Sequence, residues 1–404
     1  MINLRRNIIE TVFVRGGILI LNFAVIWLVT RFWQAEGNGI RALFVADLGI
    51  ISIFCNIFTG SSVAYYVKRV GQSRLATQAY LWVFMVSGIL AFILSFRSES
   101  SNFPLFLFFA SVLLGLIAFQ SSLFIGNQKI PYYNLITLLQ PLLLLTFMLV
   151  IYYVFHDKFS YYAYFYAQII SLLLIFIVAK IITRKTLGKS SFELDKKTIK
   201  DAFSFGWQIE LGNLFQFLTY RLSMYALPYF HDINSVGIFA LGIAIAEAIW
   251  VFSRSISLVQ YSKVLQTGDT IESRKETAKV SYISLLASAI CVAIIAALPA
   301  NIFAWIFNGE EFSYVKTIIL LMSPGILAIA VSNVYGHFFS ATGKVKIWLL
   351  KSAAGLPVTI VLSLLLIPKW GIAGACVANS FAYIASSMVL VVLFFRKSHN
   401  NLAL

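Results

Sequence analysis

The sequence predicts an all-α integral membrane protein of about twelve transmembrane helices, arranged as two related six-helix bundles. Three observations predict this: the composition, the spacing of long apolar runs, and short motifs that recur in the same order in both halves. Hydrophobic residues make up 60% of the 404 and charged residues only 12%, where soluble domains run near 45–50% and about 25%. An aqueous fold has no way to hide that much apolar surface.

Runs of roughly twenty apolar residues, enough to cross a bilayer, fall at 8–32, 39–66, 78–96, 103–125, 131–155, 160–182, 201–228, 236–262, 278–300, 313–340, 345–367 and 371–395. The first carries Glu10 and Arg15 and is too long and too charged for a cleavable leader, so it is expected to stay as a span. Alternate connections are basic. One set holds Arg5, Arg6, Lys68, Arg69, Arg74, Lys129, the seven basic residues from Lys180 to Lys200, Lys263, Arg274, Lys275, Lys279, Lys344, Lys346, Arg396 and Lys397. The other set shows little beyond Arg31, Arg41, Arg97, Lys158 and Lys369. That asymmetry predicts both termini in the cytoplasm of a multi-pass protein. The net charge of +15 therefore reports topology and attraction to anionic membrane lipids, and no basic soluble module exists to bind nucleic acid. Cys55, Cys291 and Cys376 all lie inside spans, without disulfide or metal spacing.

The polar stretch TRKTLGKSSFELDKKTIKD (183–201) divides the spans six and six. The expected organisation is an N-terminal bundle over 1–182, a cytoplasmic linker over 183–200 and a C-terminal bundle over 201–404. An even number of spans per half means that both enter the membrane in the same sense, as in parallel-repeat transporters. Gly39-Ile40-Arg41-Ala42-Leu43 opens span 2, and Gly237-Ile238-Phe239-Ala240-Leu241 opens span 8. Gly126-Asn127-Gln128-Lys129-Ile130 follows span 4, and Gly343-Lys344-Val345-Lys346-Ile347 follows span 10. Pro141 and Pro357 sit inside the next helices, and Ala167-Gln168 matches Ala378-Asn379 in spans 6 and 12. Each pair is weak alone; their common order predicts a repeat.

GEEFSYVKTIILLMSPGILAI (309–329), WGIAGACVANSFAY (370–383), GIFALGIAIAEAIWVFSRS (237–255) and FTGSSVAYYVKR (58–69) resemble segments of the Wzx-type polysaccharide flippases, in order and along essentially the whole chain. These belong to the multidrug/oligosaccharidyl-lipid/polysaccharide exporter superfamily. The resemblance implies two pseudo-symmetric bundles forming a V around a central cavity lined by spans 1, 2, 7 and 8. It implies alternating-access transfer of an undecaprenyl-pyrophosphate-linked oligosaccharide from the inner to the outer leaflet of a bacterial cytoplasmic membrane, for O-antigen or capsule synthesis. The implied partners are that lipid-linked substrate, membrane lipids, and the polysaccharide polymerase and chain-length machinery. Two departures stand out: Arg221 is followed by Leu222 and Ser223 where many relatives place an acidic residue, and the two extra C-terminal spans of lipid II flippases do not follow.

Seven charged residues stand out inside the spans: Glu10, Arg15, Asp47, Glu210, Arg221, Glu247 and Arg254. Each costs about 2.5–3.5 kcal/mol at a helix centre unless it faces water or a partner. Guanidinium groups grip a dense anion bidentately. Given the substrate that the resemblance implies, Arg15, Arg221 and Arg254 are the pyrophosphate candidates, with Arg41 at the outer mouth and Lys68 at the inner. The competing reading pairs the arginines with Glu210 or Glu247, and for Arg41 it is snorkelling to the interface. Glu247 and Arg254 lie seven residues apart, about 10 Å along one helix face. Asp47, Glu210 and Glu247 are candidates for proton or sodium coupling. No other cofactor or metal is expected. The alternatives are a multidrug antiporter of the same superfamily, which favours an acidic cavity, and a membrane polymerase or glycosyltransferase. The short outer connections and the lack of a paired-carboxylate motif disfavour an enzyme.

Overall fold

The structure is a computed structural model that describes residues 2–96, 103–154, 160–188, 193–344 and 346–400. Arg97, Lys158, Val345 and residues 189–192 of the polar segment lie outside it. The elements among the described residues are all helical: α1 (Ile2–Thr59), α2 (Ser61–Val70), α3 (Gln72–Ser95), α4 (Phe103–Gly126), α5 (Ile130–Val154), α6 (Tyr162–Leu187), α7 (Lys196–Phe230), α8 (Ile233–Thr267), α9 (Ile271–Ala297), α10 (Asn301–Phe307), a 3₁₀ turn (Glu310–Tyr314), α11 (Val315–Ala341) and α12 (Lys346–Asn400).

Among the described residues, nine helices are long and apolar enough to cross a membrane. Two exceed one crossing. α1 runs for 58 residues, about 87 Å at 1.5 Å per residue, against a hydrocarbon layer of about 30 Å. It breaks at Trp33 (φ −122°) and Gln34 (φ 54°). α12, 55 residues long, breaks at Gly371 (φ 53°), a left-handed position three residues after Pro368. The His231 ring packs against Gly371 and hydrogen-bonds the Ile367 carbonyl oxygen at 2.9 Å. Counting each broken helix twice gives eleven crossings, one fewer than the sequence predicts. The difference is α7, long enough at 35 residues but interrupted by Gln208, Glu210, Asn213, Gln216 and Arg221.

The contacts divide the chain into two compact units. Unit 1 holds Met1–Val29 and Phe44–Leu211; unit 2 holds Thr30–Leu43 and Gly212–Leu404. The division thus falls inside α7 rather than in the polar stretch, and the tip of the first hairpin joins the second unit. Within unit 1, α4 is the hub, touching α2, α3, α5 and α6; within unit 2, α11 touches α8, α9 and α12. α4 and α11 are the fourth and tenth of the expected spans, so each half is organised round the same member.

The turns after these hubs repeat hydrogen bond for hydrogen bond. Asn127 N–H donates to the Leu123 oxygen at 3.0 Å and Lys129 N–H to Phe124 at 2.7 Å; Thr342 N–H donates to Phe338 at 3.0 Å and Lys344 N–H to Phe339 at 2.9 Å. Gln128 (φ 58°) and Gly343 (φ 75°) supply the left-handed residue of each turn. Lys129 therefore matches Lys344, and the pairing of Gly126 with Gly343 is corrected by two residues. Gly126 instead lies against Ala64 and Val67. The other glycine pair meets directly. A side chain on Gly237 would strike the Ala35 carbonyl at 1.8 Å, and one on Gly39 the Ile233 carbonyl at 2.2 Å. Only glycine permits that backbone approach, which Asn38 locks by donating to the Gly237 oxygen at 2.7 Å.

The acidic–aromatic motif has a packing role in unit 2. Phe312 of the 3₁₀ turn is fully buried against Phe307, with centroids 5.8 Å apart. In α11, the Gly325 N–H following Pro324 donates to Ser380 Oγ at 2.9 Å.

Candidate functional site

The charged residues singled out from the sequence distribute between the units. Unit 1 holds Arg15, Asp47, Lys68 and Glu210; unit 2 holds Arg41, Arg221, Glu247 and Arg254. In unit 1, Arg15 and Lys68 are exposed, while Asp47 and Glu210 are buried. A Glu210 carboxylate oxygen lies beside Gly60 at the α1–α2 break, 3.4 Å from where a β-carbon would stand.

Unit 2 assembles the densest group. Arg221 Nη2 donates to Glu247 Oε1 at 2.7 Å, joining α7 to α8. Glu247 therefore pairs with Arg221, not with Arg254 on its own helix. Glu247 takes one guanidinium N–H; the other donors of Arg221 make no protein hydrogen bond among the described residues. Arg254 is exposed and has no carboxylate partner among them. The phenol of Tyr220 lies within electrostatic reach of Arg221, Arg254 and Glu247 together. Tyr220, Trp250 and Tyr383 pack as a trio, Tyr383 edge-on to the other two, with centroids 4.9–5.8 Å apart. Trp250 Nε1, the Tyr383 hydroxyl and Asn379 Nδ2 are buried there with no hydrogen-bond partner. Such donors cost roughly 1–3 kcal/mol each when left unmet, so they are donors suited to a polar ligand or to water.

Sequence reasoning missed Lys351. It lies in the first half of α12, only 2% exposed, with its ammonium over the Trp348 ring at 4.4 Å and no carboxylate partner among the described residues. Arg221, Arg254, Lys351 and the carboxylate of Glu247 all belong to unit 2. A lysine five residues inside an apolar helix was the available signal. Arg41 has a different setting: its Nε donates to Asn38 Oδ1 at 3.0 Å, bracing the residue that ties the first hairpin to α8.

Residues 4–261 match the family model described as polysaccharide biosynthesis protein. The chain belongs to that family. Its long apolar helices make it a multi-pass membrane protein of that polysaccharide biosynthesis family. Solved structures share the fold across nearly the whole family member described above. The lipid II flippase MurJ in an inward closed conformation superposes with a TM-score of 0.75 at 14% identity, covering 98% of this chain and 90% of that one. An inward-facing multidrug resistance MATE family transporter of the MOP superfamily gives 0.72 at 10% identity, covering 96% and 98%. The Vibrio cholerae MATE transporter VcmN gives 0.68 at 12%, covering 98% and 96%. An uncharacterized membrane protein of Methanocaldococcus jannaschii is 23% identical over 66% of this chain, which spans only 54% of that relative.

Proposed function

We propose that the protein is a flippase that carries an undecaprenyl-pyrophosphate-linked oligosaccharide from the inner to the outer leaflet of a bacterial cytoplasmic membrane by alternating access, with both termini in the cytoplasm. The observation that carries this reading is a group within unit 2, the three basic side chains Arg221, Arg254 and Lys351 with the one carboxylate of Glu247, in an apolar helix bundle. A positive surplus, part-buried at Arg221 and fully buried at Lys351, is costly alone and favourable beside a dense anion. It suits a pyrophosphate and opposes the organic cations of a multidrug antiporter. Arg221 is the primary grip, because Glu247 orients its guanidinium and leaves the other donors for phosphate oxygens. Arg254 and Lys351 add charge. Arg15 and Lys68 serve as docking points in unit 1. Asp47 and Glu210 are the coupling candidates for a proton or sodium gradient; Glu247, held by Arg221, serves orientation.

The test uses Arg221→Gln with Arg254→Gln in a strain that depends on this gene for its surface polysaccharide. The expected outcome is a loss of surface polysaccharide with normal protein abundance in the membrane. Arg221→Gln combined with Glu247→Gln removes the ion pair without leaving an unpaired carboxylate. If that pair of changes restores export, the arginine is structural; full export in the double-arginine variant overturns the cationic grip.

A further inference from the structure

The end of unit 1 that carries the α2–α3 turn holds a cavity of about 170 Å³, lined by residues of α3, α4 and α6 including Gln72, Tyr80, Gln120, Lys180, Thr183 and Arg184. At about 30 Å³ per water it holds some five waters, room for a phosphate group together with bound water. Its polar wall is built. Thr183 Oγ1 donates to Gln120 Oε1 at 2.6 Å, Gln120 Nε2 donates to the Tyr80 hydroxyl at 3.0 Å, and Lys180 Nζ donates to the same hydroxyl at 2.8 Å. Gln120 is completely buried and Thr183 is 5% exposed. Among the described residues Lys180 thus meets only a neutral phenol, above whose ring its ammonium also sits at 5.0 Å. Arg184, one turn further, stands exposed at the mouth. Among the described residues no carboxylate pairs with either cation.

The repeat shows that this hollow is not imposed by the fold. Gln120 lies nine residues before Lys129 as Tyr335 lies nine before Lys344, and Thr183 lies fifteen after Gln168 as Phe394 lies fifteen after Asn379. The positions that pair Gln120 with Thr183 in unit 1 therefore pair Tyr335 with Phe394 in unit 2. There the two rings pack at a tilt, centroids 4.5 Å apart, within a buried cluster with Phe338, Phe339 and Leu390. The same scaffold fills this place with aromatics in one half and lines it with hydrogen-bonding groups and unpaired cations in the other.

We propose that this cavity is a binding site for a phosphate group, separate from the transported substrate: Lys180 and Arg184 supply charge, and the Tyr80 hydroxyl, which accepts from Gln120 and Lys180, supplies its own O–H. The phosphate comes either from an anionic phospholipid headgroup, since the mouth lies at the basic end of a membrane-embedded unit, or from free phosphate.

The experiment measures thermal unfolding of the purified full chain in neutral detergent. Three additives are compared at matched ionic strength: phosphatidylglycerol in mixed micelles, inorganic phosphate, and phosphatidylcholine with chloride. A ligand of the native state raises Tm by mass action. The expected result is stabilisation by phosphatidylglycerol or phosphate, with a half-saturating concentration about tenfold higher in Lys180→Gln, the loss of one charge-assisted contact, and unchanged in Lys185→Gln, a neighbouring exposed lysine outside the cavity. Response to phosphate alone assigns the free anion; response only to the lipid assigns the headgroup. Should Lys180→Gln fail to fold, Arg184→Gln, whose exposed side chain supports no packing, must show the weakening instead. No stabilisation of the wild type by either anion, or an equal loss in Lys185→Gln, overturns the site.

Discussion

In unit 2 the end of the last helix is held by Arg274, whose Nη1 donates to the Phe394 carbonyl oxygen at 2.6 Å while its guanidinium lies 5.3 Å from the Phe338 ring centre and 5.1 Å from that of Phe394. Asp269 accepts from Arg274 through both carboxylate oxygens, at 2.5 and 3.0 Å, and also pairs with Lys344 of the turn after α11. At the matching end of unit 1, Gln72 follows the equivalent glycine turn and donates to the carbonyls of Leu187 and Gly188, both at 3.1 Å. The ion pair there, Arg74 with Glu193, is about half exposed at both partners. One repeat has made this end a closed structural latch with an internal counter-charge. The other has left it polar and cationic. The backbone devices, hub helix and left-handed turn, are common to both; the side chains decide which half supports a ligand.

The largest expected effect tests that division. Asp269→Asn leaves the Arg274 guanidinium, whose side chain is only 7% exposed, without its charge partner. Breaking a buried pair from one side costs about 3–5 kcal/mol, a fall in Tm of roughly 6 °C or more at 2–4 °C per kcal/mol for a domain of this size. Glu193→Gln in unit 1 removes an exposed pair worth less than about 1 kcal/mol. Differential scanning fluorimetry on both variants decides the matter: equal shifts would mean that the latch is no more structural than its counterpart.

Acid provides the next, smaller effect. Burial pushes the Asp269 carboxyl up, but its bonds to Arg274 and Lys344 outweigh that and hold it below the usual carboxylate range. A carboxyl with a lowered folded pKa contributes stability that is fully present above its unfolded value, about 3.9, and is lost as pH falls through the folded value. Tm in the wild type should therefore drop as pH is taken below about 4, and Asp269→Asn should lack that part of the drop. A variant with the wild-type acid slope would show that other carboxylates carry it.

Much of this was legible in the sequence, for reasons that also explain what was not. Spans such as 103–125 and 313–340 are apolar on every side, so length alone reveals them, but the same uniformity hides which face of a helix turns inward. Lys351 went unnoticed on that account: nothing in its apolar neighbours tells a buried lysine from one that snorkels to the interface. Arg274 was legible as a topological charge, because a basic residue near a helix end counts toward orientation whatever it touches. Its role depends on Phe394, 120 residues away. The pairing of Glu247 with Arg221 rather than Arg254 has the same origin. Spacing along α8 brings Glu247 and Arg254 to one face, whereas the neighbouring helix that supplies the partner is set by packing. The twelfth crossing rests on α7, whose length predicts a span and whose polar residues belong to the candidate site.

The smallest expected effect lies in unit 1. Gln72→Leu removes two hydrogen bonds to carbonyls at the end of α6, which remain close enough to the surface for water to replace the donor. A net loss of about 1 kcal/mol follows, a shift of 2–4 °C. In unit 2, Arg274→Leu removes the matching bond to Phe394, and there the carbonyl lies within a buried aromatic cluster and Asp269 loses its main partner, so the cost is expected to be several-fold larger. Hydrogen exchange at the ends of the two helices reads this locally: the C-terminal turn of α6 should exchange faster in Gln72→Leu with the rest of unit 1 unchanged, whereas Arg274→Leu should expose amides across α11 and α12 together. If the α6 variant instead loosens the whole of unit 1, the polar end is also a structural latch, and the contrast between the two halves is one of degree.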